Sequence, residues 1–127
     1  MTQISNLPAH KARNLIGQKK ISSTELVKSC IEQYEKHNPN INAIVAIDQK
    51  DVLEQAKKCD EKVSKGENLG LLHGLPVGIK DLQMVKNLRS TYGSLLFKNY
   101  IPKIDDNIVK NIREEGGIVF CKTNTPE

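Results

Sequence analysis

The chain has 127 residues and a formal net charge of +4 at pH 7, with 38% hydrophobic and 27% charged residues. This length suits one compact domain, and no apolar run approaches the roughly twenty residues that a membrane-spanning helix requires. Its positive charge is spread evenly along the chain and comes mostly from Lys, which argues against a direct nucleic-acid partner. The first residues lack the apolar core of a signal peptide, so we expect a cytoplasmic protein without membrane contact.

Cysteine and histidine spacing indicates neither a disulfide framework nor a metal site. The three cysteines are an odd number without CxxC spacing, which is typical of reduced thiols. The three histidines are scattered and form no HxxxH pair, so the sequence predicts no metal and no other cofactor. These residues are Cys30, Cys59 and Cys121, and His10, His37 and His73.

Two helices are predicted in the first 40 residues. A short apolar pattern ends at Gly17, a residue typical of a helix C-terminus. The sequence Ser22-Ser23-Thr24-Glu25 then fits a capping box, in which Ser22 caps the second helix and Glu25 bonds back to it. We expect that helix to end near His37, because Asn38-Pro39-Asn40 is a turn signal.

Short apolar runs alternate with helical patterns in the rest of the chain. Ala43–Ile47 predicts a buried strand, a helix follows over about Asp48–Lys65, and the glycine-rich residues 66–74 form a loop. Leu75–Ile79 predicts a second strand, which Pro76 restricts to a strand start or a sheet edge. Residues 82–104 show no regular pattern.

The last element pair is a helix and a strand. Asp105-Asp106 is a predicted helix N-cap, with Ile108, Val109 and Ile112 facing the core. Ile118–Cys121 predicts a third buried strand, which needs cover on both faces. The alternation predicts an α/β fold with some parallel pairing, and the uncovered last strand indicates the front part of a larger fold.

Lys80 is the candidate catalytic residue. The glycines between residues 66 and 78 match neither the phosphate-loop pattern nor GxGxxG, so phosphate binding is not predicted. Lys80 follows the apolar strand Leu75–Ile79, where burial of its amine would favour the neutral form that acts as a general base. The alternative is an ordinary lysine that reaches solvent or pairs with Asp81.

A set of collinear motifs resembles the amidase signature family of serine hydrolases. They are GLLHGLPVGIKDLQMVKNLRSTYGS, residues 101–113, and the terminal stretch GGIVFCKTNTPE, with a similar upstream stretch, ISSTELVKSCIEQYEKHNPNINAIVAI. The likeness extends from about Ala9 to the end. It implies that residues 1–127 are the N-terminal part of a single amidase-signature domain, with N-terminal helices and the first strands of a mixed sheet flanked by helices.

The resemblance implies hydrolysis of carboxamide C–N bonds of a small-molecule substrate through an acyl-enzyme. The family uses a Ser–cis-Ser–Lys triad, and the position matching its lysine is Lys80. Both triad serines are expected beyond this chain, so the 127 residues alone are predicted to be inactive and marginally folded. Ser90 and Ser94 lie in a family-like stretch and are expected to be structural or to line a pocket.

Two alternatives stay open. The A subunit of the glutamine-dependent aminoacyl-tRNA amidotransferase, a glutaminase that supplies ammonia to partner subunits, is similar over these motifs. A truncated scaffold or non-catalytic interaction module is the alternative from another class.

Cys121 ends the third predicted strand, and two polar residues, Thr123 and Asn124, follow shortly after it. Cys121 replaces a glycine that is commoner in the family and is predicted to be a small buried hydrophobe at a strand end. Thr123 and Asn124 either line the site or cap the following turn.

Overall fold

The structure is a computed structural model that describes residues 3–126. Within that range it contains four α-helices, two short 3₁₀ helices and three strands. The α-helices are α1 (Ala9–Gly17), α2 (Ser23–Ile41), α3 (Gln49–Ser64) and α4 (Asn107–Glu114); the strands are β1 (Ile44–Ala46), β2 (Pro76–Lys80) and β3 (Ile118–Thr123); the 3₁₀ helices are Ile4–Asn6 and Leu95–Phe97. None of the helices in this range has the length and apolarity needed to cross a bilayer.

The three strands form one mixed sheet in the order β1-β3-β2. The last strand, β3, lies in the middle, antiparallel to β1 and parallel to β2. The first five residues of β3 are buried. The predicted α/β class and the predicted parallel pairing are therefore confirmed, and Pro76 begins β2 as expected.

A β-bulge in β3 changes which side chains face each side of the sheet. Val77 pairs with Val119, but the next residue, Gly78, pairs with Cys121, so Phe120 is the extra residue. Because side chains alternate along a strand, one inserted residue moves every later side chain to the opposite face. The bulge therefore turns Lys122 toward the face that also carries Val119.

Each face of the sheet has its own apolar cluster. On one face, Ile118, Phe120 and Cys121 pack against α2 and α3. On the other, Val119 and Ile79 pack against α4 and the loop that follows β2. A third cluster joins α1 to the start of α2 and to Leu75.

A side-chain amide completes the hydrogen bonding of β3 where β1 is too short to reach. Gln55 of α3 donates to the Val119 carbonyl over 3.2 Å and accepts from the Val119 N–H over 3.1 Å. A buried backbone group without a partner is costly, so this contact stabilises the bulged strand and ties α3 to it.

The capping box of α2 is confirmed, but the predicted end of that helix is wrong. Ser22 accepts from the Glu25 N–H over 2.9 Å, and the Ser22 N–H donates to Glu25 over 2.8 Å. The helix continues through Pro39 to Ile41. Proline removes only one hydrogen bond so close to the C-terminus, and Asn38 compensates by bonding both the N–H and the carbonyl of Ile44.

The prediction for the start of α4 is also partly wrong. Asp106 occupies the N-cap position, but its side chain makes no cap hydrogen bond. It accepts instead from the Met84 N–H over 2.7 Å, and Asp105 accepts from the Lys86 N–H over 2.7 Å. The pair thus holds the loop after β2, while Ile108, predicted to face inward, is 54% exposed.

Candidate active site

Lys80 is the last residue of β2, at an edge of the described sheet. It pairs in register with Thr123 of β3, so the two parallel strands end side by side. The ladder continues one residue further, because the Asp81 N–H donates to the Thr123 carbonyl over 2.9 Å. The Lys80 side chain is exposed, so the burial expected of its amine is not found among residues 3–126. The hydrogen bonds between β2 and β3 therefore hold the backbone of Lys80 in place, while its amine is accessible at the sheet edge.

Asp81 does not pair with Lys80, contrary to one of the two alternatives that the sequence left open. The Asp81 side chain is 2% exposed, and its Oδ1 lies 3.0 Å from Nζ of Lys122. It also accepts hydrogen bonds from the backbone N–H and the hydroxyl of Thr91. Consecutive residues of an extended chain point to opposite faces, which is why Asp81 is buried beside an exposed Lys80.

Lys122 has no exposed side-chain surface, which is rare for a lysine. Its Nζ donates to the Gln83 carbonyl over 2.5 Å and to the Ser90 hydroxyl over 2.7 Å, and it contacts Asp81 over 3.0 Å. An ammonium group has three N–H donors, and three oxygens surround this one. The buried charge is thus both paired and fully hydrogen-bonded.

The titration behaviour of the pair follows from burial and hydrogen bonding. For Asp81, burial favours the neutral acid, but hydrogen bonds from Thr91 and Lys122 outweigh it and lower the pKa below its ordinary value. For Lys122, burial lowers the pKa, and the Asp81 carboxylate opposes that effect. With three acceptors around Nζ, the geometry favours the ionised pair.

Ser90 is in contact with a lysine but lacks the features of a nucleophile. It is fully buried, and its hydroxyl donates to the Leu88 carbonyl over 3.1 Å while it accepts from Lys122. An ammonium that donates to a hydroxyl cannot take a proton from it. Ser94 caps the short helix Leu95–Phe97 by accepting from the Leu96 N–H. The expected structural role of both serines agrees with these contacts.

Asn124 directly follows β3, and its contacts are those of a residue that caps a turn. Asn124 donates to the Asn42 carbonyl over 3.0 Å and accepts from the Thr125 N–H over 2.9 Å, which is the capping alternative. Thr123 lies opposite Lys80 in register.

Cys121 is buried as predicted, and burial raises the pKa of its thiol to about 12. It is not the last residue of its strand, because β3 continues two residues beyond it. Glu127, the last residue of the terminal motif, lies outside the described residues.

Sequence reasoning missed the cluster of Lys122, Asp81, Ser90, Thr91 and the Gln83 carbonyl, which we call the Lys122 cluster. The one available signal was a charged residue directly after the apolar run Ile118–Cys121. Alternation along a regular strand would have put Lys122 on the face occupied by α2 and α3. Only the bulge brings it to the face where Asp81 lies.

Comparison with solved structures identifies the fold. A bacterial aryl acylamidase of the amidase signature enzymes family superimposes with a TM-score of 0.87 and 26% identity, over 94% of this chain and 25% of that protein. The fold is thus that of the amidase signature enzymes.

Sequence comparison gives the family. The Amidase family profile matches residues 25–127. The A subunit of glutamyl-tRNA(Gln) amidotransferase from Clostridium botulinum (strain Eklund 17B / Type B) is 37% identical over 123 residues, which are 97% of this chain and 25% of that protein. The corresponding protein of Carboxydothermus hydrogenoformans is 36% identical over 121 residues, covering 95% and 25%. The chain belongs to the Amidase family and spans about a quarter of the length of the curated relatives it matches.

Proposed function

We propose that the complete protein hydrolyses carboxamide C–N bonds through an acyl-enzyme, with Lys80 as the general base of a Ser–cis-Ser–Lys triad. The observation that carries the proposal is the position of Lys80, at the end of β2 within the region that matches the Amidase family. Its neighbour Asp81 is engaged by Thr91 and Lys122, and Lys80 forms no ion pair within residues 3–126. Residues 1–127 would form the N-terminal part of one amidase-signature domain.

In the proposed reaction, the neutral Lys80 amine accepts a proton from the middle serine, which deprotonates the nucleophilic serine. The nucleophilic oxygen attacks the amide carbonyl, the C–N bond breaks, and the amine or ammonia leaves with the transferred proton. Water then hydrolyses the acyl ester and regenerates the serine. Both serines, and the polypeptide that covers the exposed Lys80 side chain, would come from outside residues 1–127.

The test uses the complete protein with 4-nitroacetanilide and L-glutamine as probe amides. Replacing a general base typically lowers the rate by about 10²- to 10⁴-fold, so Lys80→Ala is expected to abolish most turnover. The matched control is Lys110→Ala, which removes an exposed lysine from α4. Full turnover by Lys80→Ala would remove this residue from the mechanism.

A second candidate function is supported by the names of the sequence relatives. Those at 36–37% identity are A subunits of glutamyl-tRNA(Gln) amidotransferase, which favours a glutaminase that passes ammonia to partner subunits. This function predicts that L-glutamine is hydrolysed in preference to 4-nitroacetanilide and that the complete protein co-purifies with partner subunits. Absence of turnover with every amide, in the presence of such partners, would favour the non-catalytic scaffold instead.

A further inference from the structure

We propose that Lys122 is a positioning residue for Lys80, acting through its buried ion pair with Asp81. The inference rests on the proposed function, because it assigns Lys122 a role only if Lys80 is the base. Its basis is the Lys122 cluster, which fixes the backbone immediately after Lys80.

The cluster joins three segments at one point. Asp81 directly follows β2, Lys122 belongs to β3, and Gln83 and Ser90 belong to the loop between β2 and α4. All are linked through a single nitrogen atom. The Asp81 N–H also bonds the Thr123 carbonyl, so the residue after Lys80 is held through both its backbone and its side chain.

The chemistry of the Lys122 cluster is better suited to orienting the backbone next to Lys80 than to adding stability to the fold. Burying two charges is costly, and well-packed apolar residues often stabilise a core equally well. Directional hydrogen bonds, in contrast, hold the backbone at a defined angle as well as at a defined distance. A buried pair one residue from the proposed base is placed to control the direction in which the Lys80 side chain leaves the sheet.

The position of a general base affects the chemical step more than substrate binding. A displacement of about 1 Å can lower a rate about 100-fold. Loss of the cluster should therefore reduce kcat while KM changes little. A purely structural role makes a different prediction, because kcat should then follow the fraction of folded protein.

The experiment compares Lys122→Met, Asp81→Asn and the double variant in the complete protein, with Lys110→Met as the matched control. Each is assayed with the probe amide that the parent cleaves faster, 4-nitroacetanilide or L-glutamine, and its Tm is measured. Either single variant leaves one buried charge unpaired and should lower Tm. The double variant removes both charges, so its Tm should return most of the way to the parent value.

The expected result is that kcat of the double variant stays about 10- to 100-fold below the parent, with KM within about twofold. Recovery of kcat together with Tm would overturn the inference. Turnover unaffected by Lys80→Ala would instead overturn the proposed function, so the two failures are distinguishable.

Ser90→Ala provides a second variant, which keeps the ion pair between Lys122 and Asp81. It removes the 2.7 Å hydrogen bond from Lys122 and leaves Nζ with two acceptors. We expect kcat to fall severalfold at unchanged KM, and Tm to fall by less than in Lys122→Met or Asp81→Asn, because a buried donor loses its partner while both charges stay paired. A parent-like kcat in this variant would also contradict the positioning role, whatever the folding of the double variant.

Discussion

Asp81 combines near-complete burial with a network of hydrogen-bond donors, which makes its ionised form part of the folded state. Thr91 donates to both of its oxygens, and Lys122 supplies the opposing charge. Such a carboxylate is protonated with difficulty as long as the protein is folded. Its ionisation therefore links stability to pH.

The pKa of Asp81 is lower in the folded state than its ordinary value of 3.8, which fixes the sign of that linkage. The stabilisation is fully present from about one pH unit above that ordinary value, and it is lost as the pH falls through the folded-state pKa. We predict that urea midpoints of the complete protein drop more steeply between about pH 5 and about pH 2.5 in the parent than in Asp81→Asn. Parallel curves for the two proteins would contradict this.

The contrast between Lys80 and Lys122 shows what sequence reasoning can resolve at this scale. Lys80 stands in a motif that resembles a known family, so the sequence identifies it as a candidate. The environment of Lys122 depends on the bulge at Phe120, on burial under the loop after β2, and on the ion pair with Asp81, which is distant along the chain. Such contacts between distant segments leave almost no local signal.

Local sequence signals predicted helix boundaries where the hydrogen-bond partners lie close together along the chain. The capping box at Ser22 involves residues three positions apart and is confirmed. The helix predicted to begin near Asp48 does begin there, with Asp48 accepting from the Asp51 N–H. Pro39 failed as a stop signal because Asn38 bonds Ile44, across the connection to β1. Asp105 and Asp106 resemble a helix cap, but tertiary contacts with the loop after β2 use their oxygens instead.

The N-terminus of α2 has an additional carboxylate partner that comes from α3. Asp60 accepts from the backbone N–H groups of Ser23 and Thr24 over 2.6 and 3.1 Å, and from the Thr24 hydroxyl over 2.6 Å. These N–H groups have no partner within the helix, and negative charge is favourable at this end. Asp60 thus connects the two helices that cover one face of the sheet.

We predict that Asp60→Ala destabilises the complete protein by about 1.5–3 kcal/mol, since hydrogen bonds to a charged group are lost. The measurement is urea unfolding followed by circular dichroism. Glu54→Ala, which removes an exposed carboxylate from the same helix, should change stability by less than about 0.5 kcal/mol. Equal effects of the two substitutions would show that Asp60 contributes no more than a surface charge.

At the scale of the whole molecule, the sequence predicted the class of fold and the alternation of elements. It did not predict the order of the strands, in which β3 lies between β1 and β2. Strand order depends on which strands pair and which apolar faces pack together. The sequence of a short apolar strand does not specify its pairing partners. Residues 82–104 were predicted to lack regular structure, and they do so apart from one short 3₁₀ helix.

That irregular region includes the most exposed apolar side chains of the described residues. Leu95 and Leu96 are 86% and 90% exposed, and Tyr92, Phe97 and Tyr100 form a partly exposed aromatic group with ring centroids 5.4–6.5 Å apart. Exposed apolar side chains grouped in this way are typical of sites that contact other protein, a membrane or a ligand. Since the chain spans a quarter of its relatives' length, we expect polypeptide outside residues 3–126 to cover it.

This expectation can be tested on Leu96 in the complete protein. If other polypeptide covers the segment, Leu96→Ala creates a cavity and should lower the free energy of unfolding by about 2–5 kcal/mol, as for a buried leucine. The matched control is Asn99→Ala, an exposed polar neighbour, with an expected change below about 0.5 kcal/mol. If Leu96→Ala unfolds at the same urea concentration as the parent, Leu96 remains in solvent and the segment is not part of a larger core.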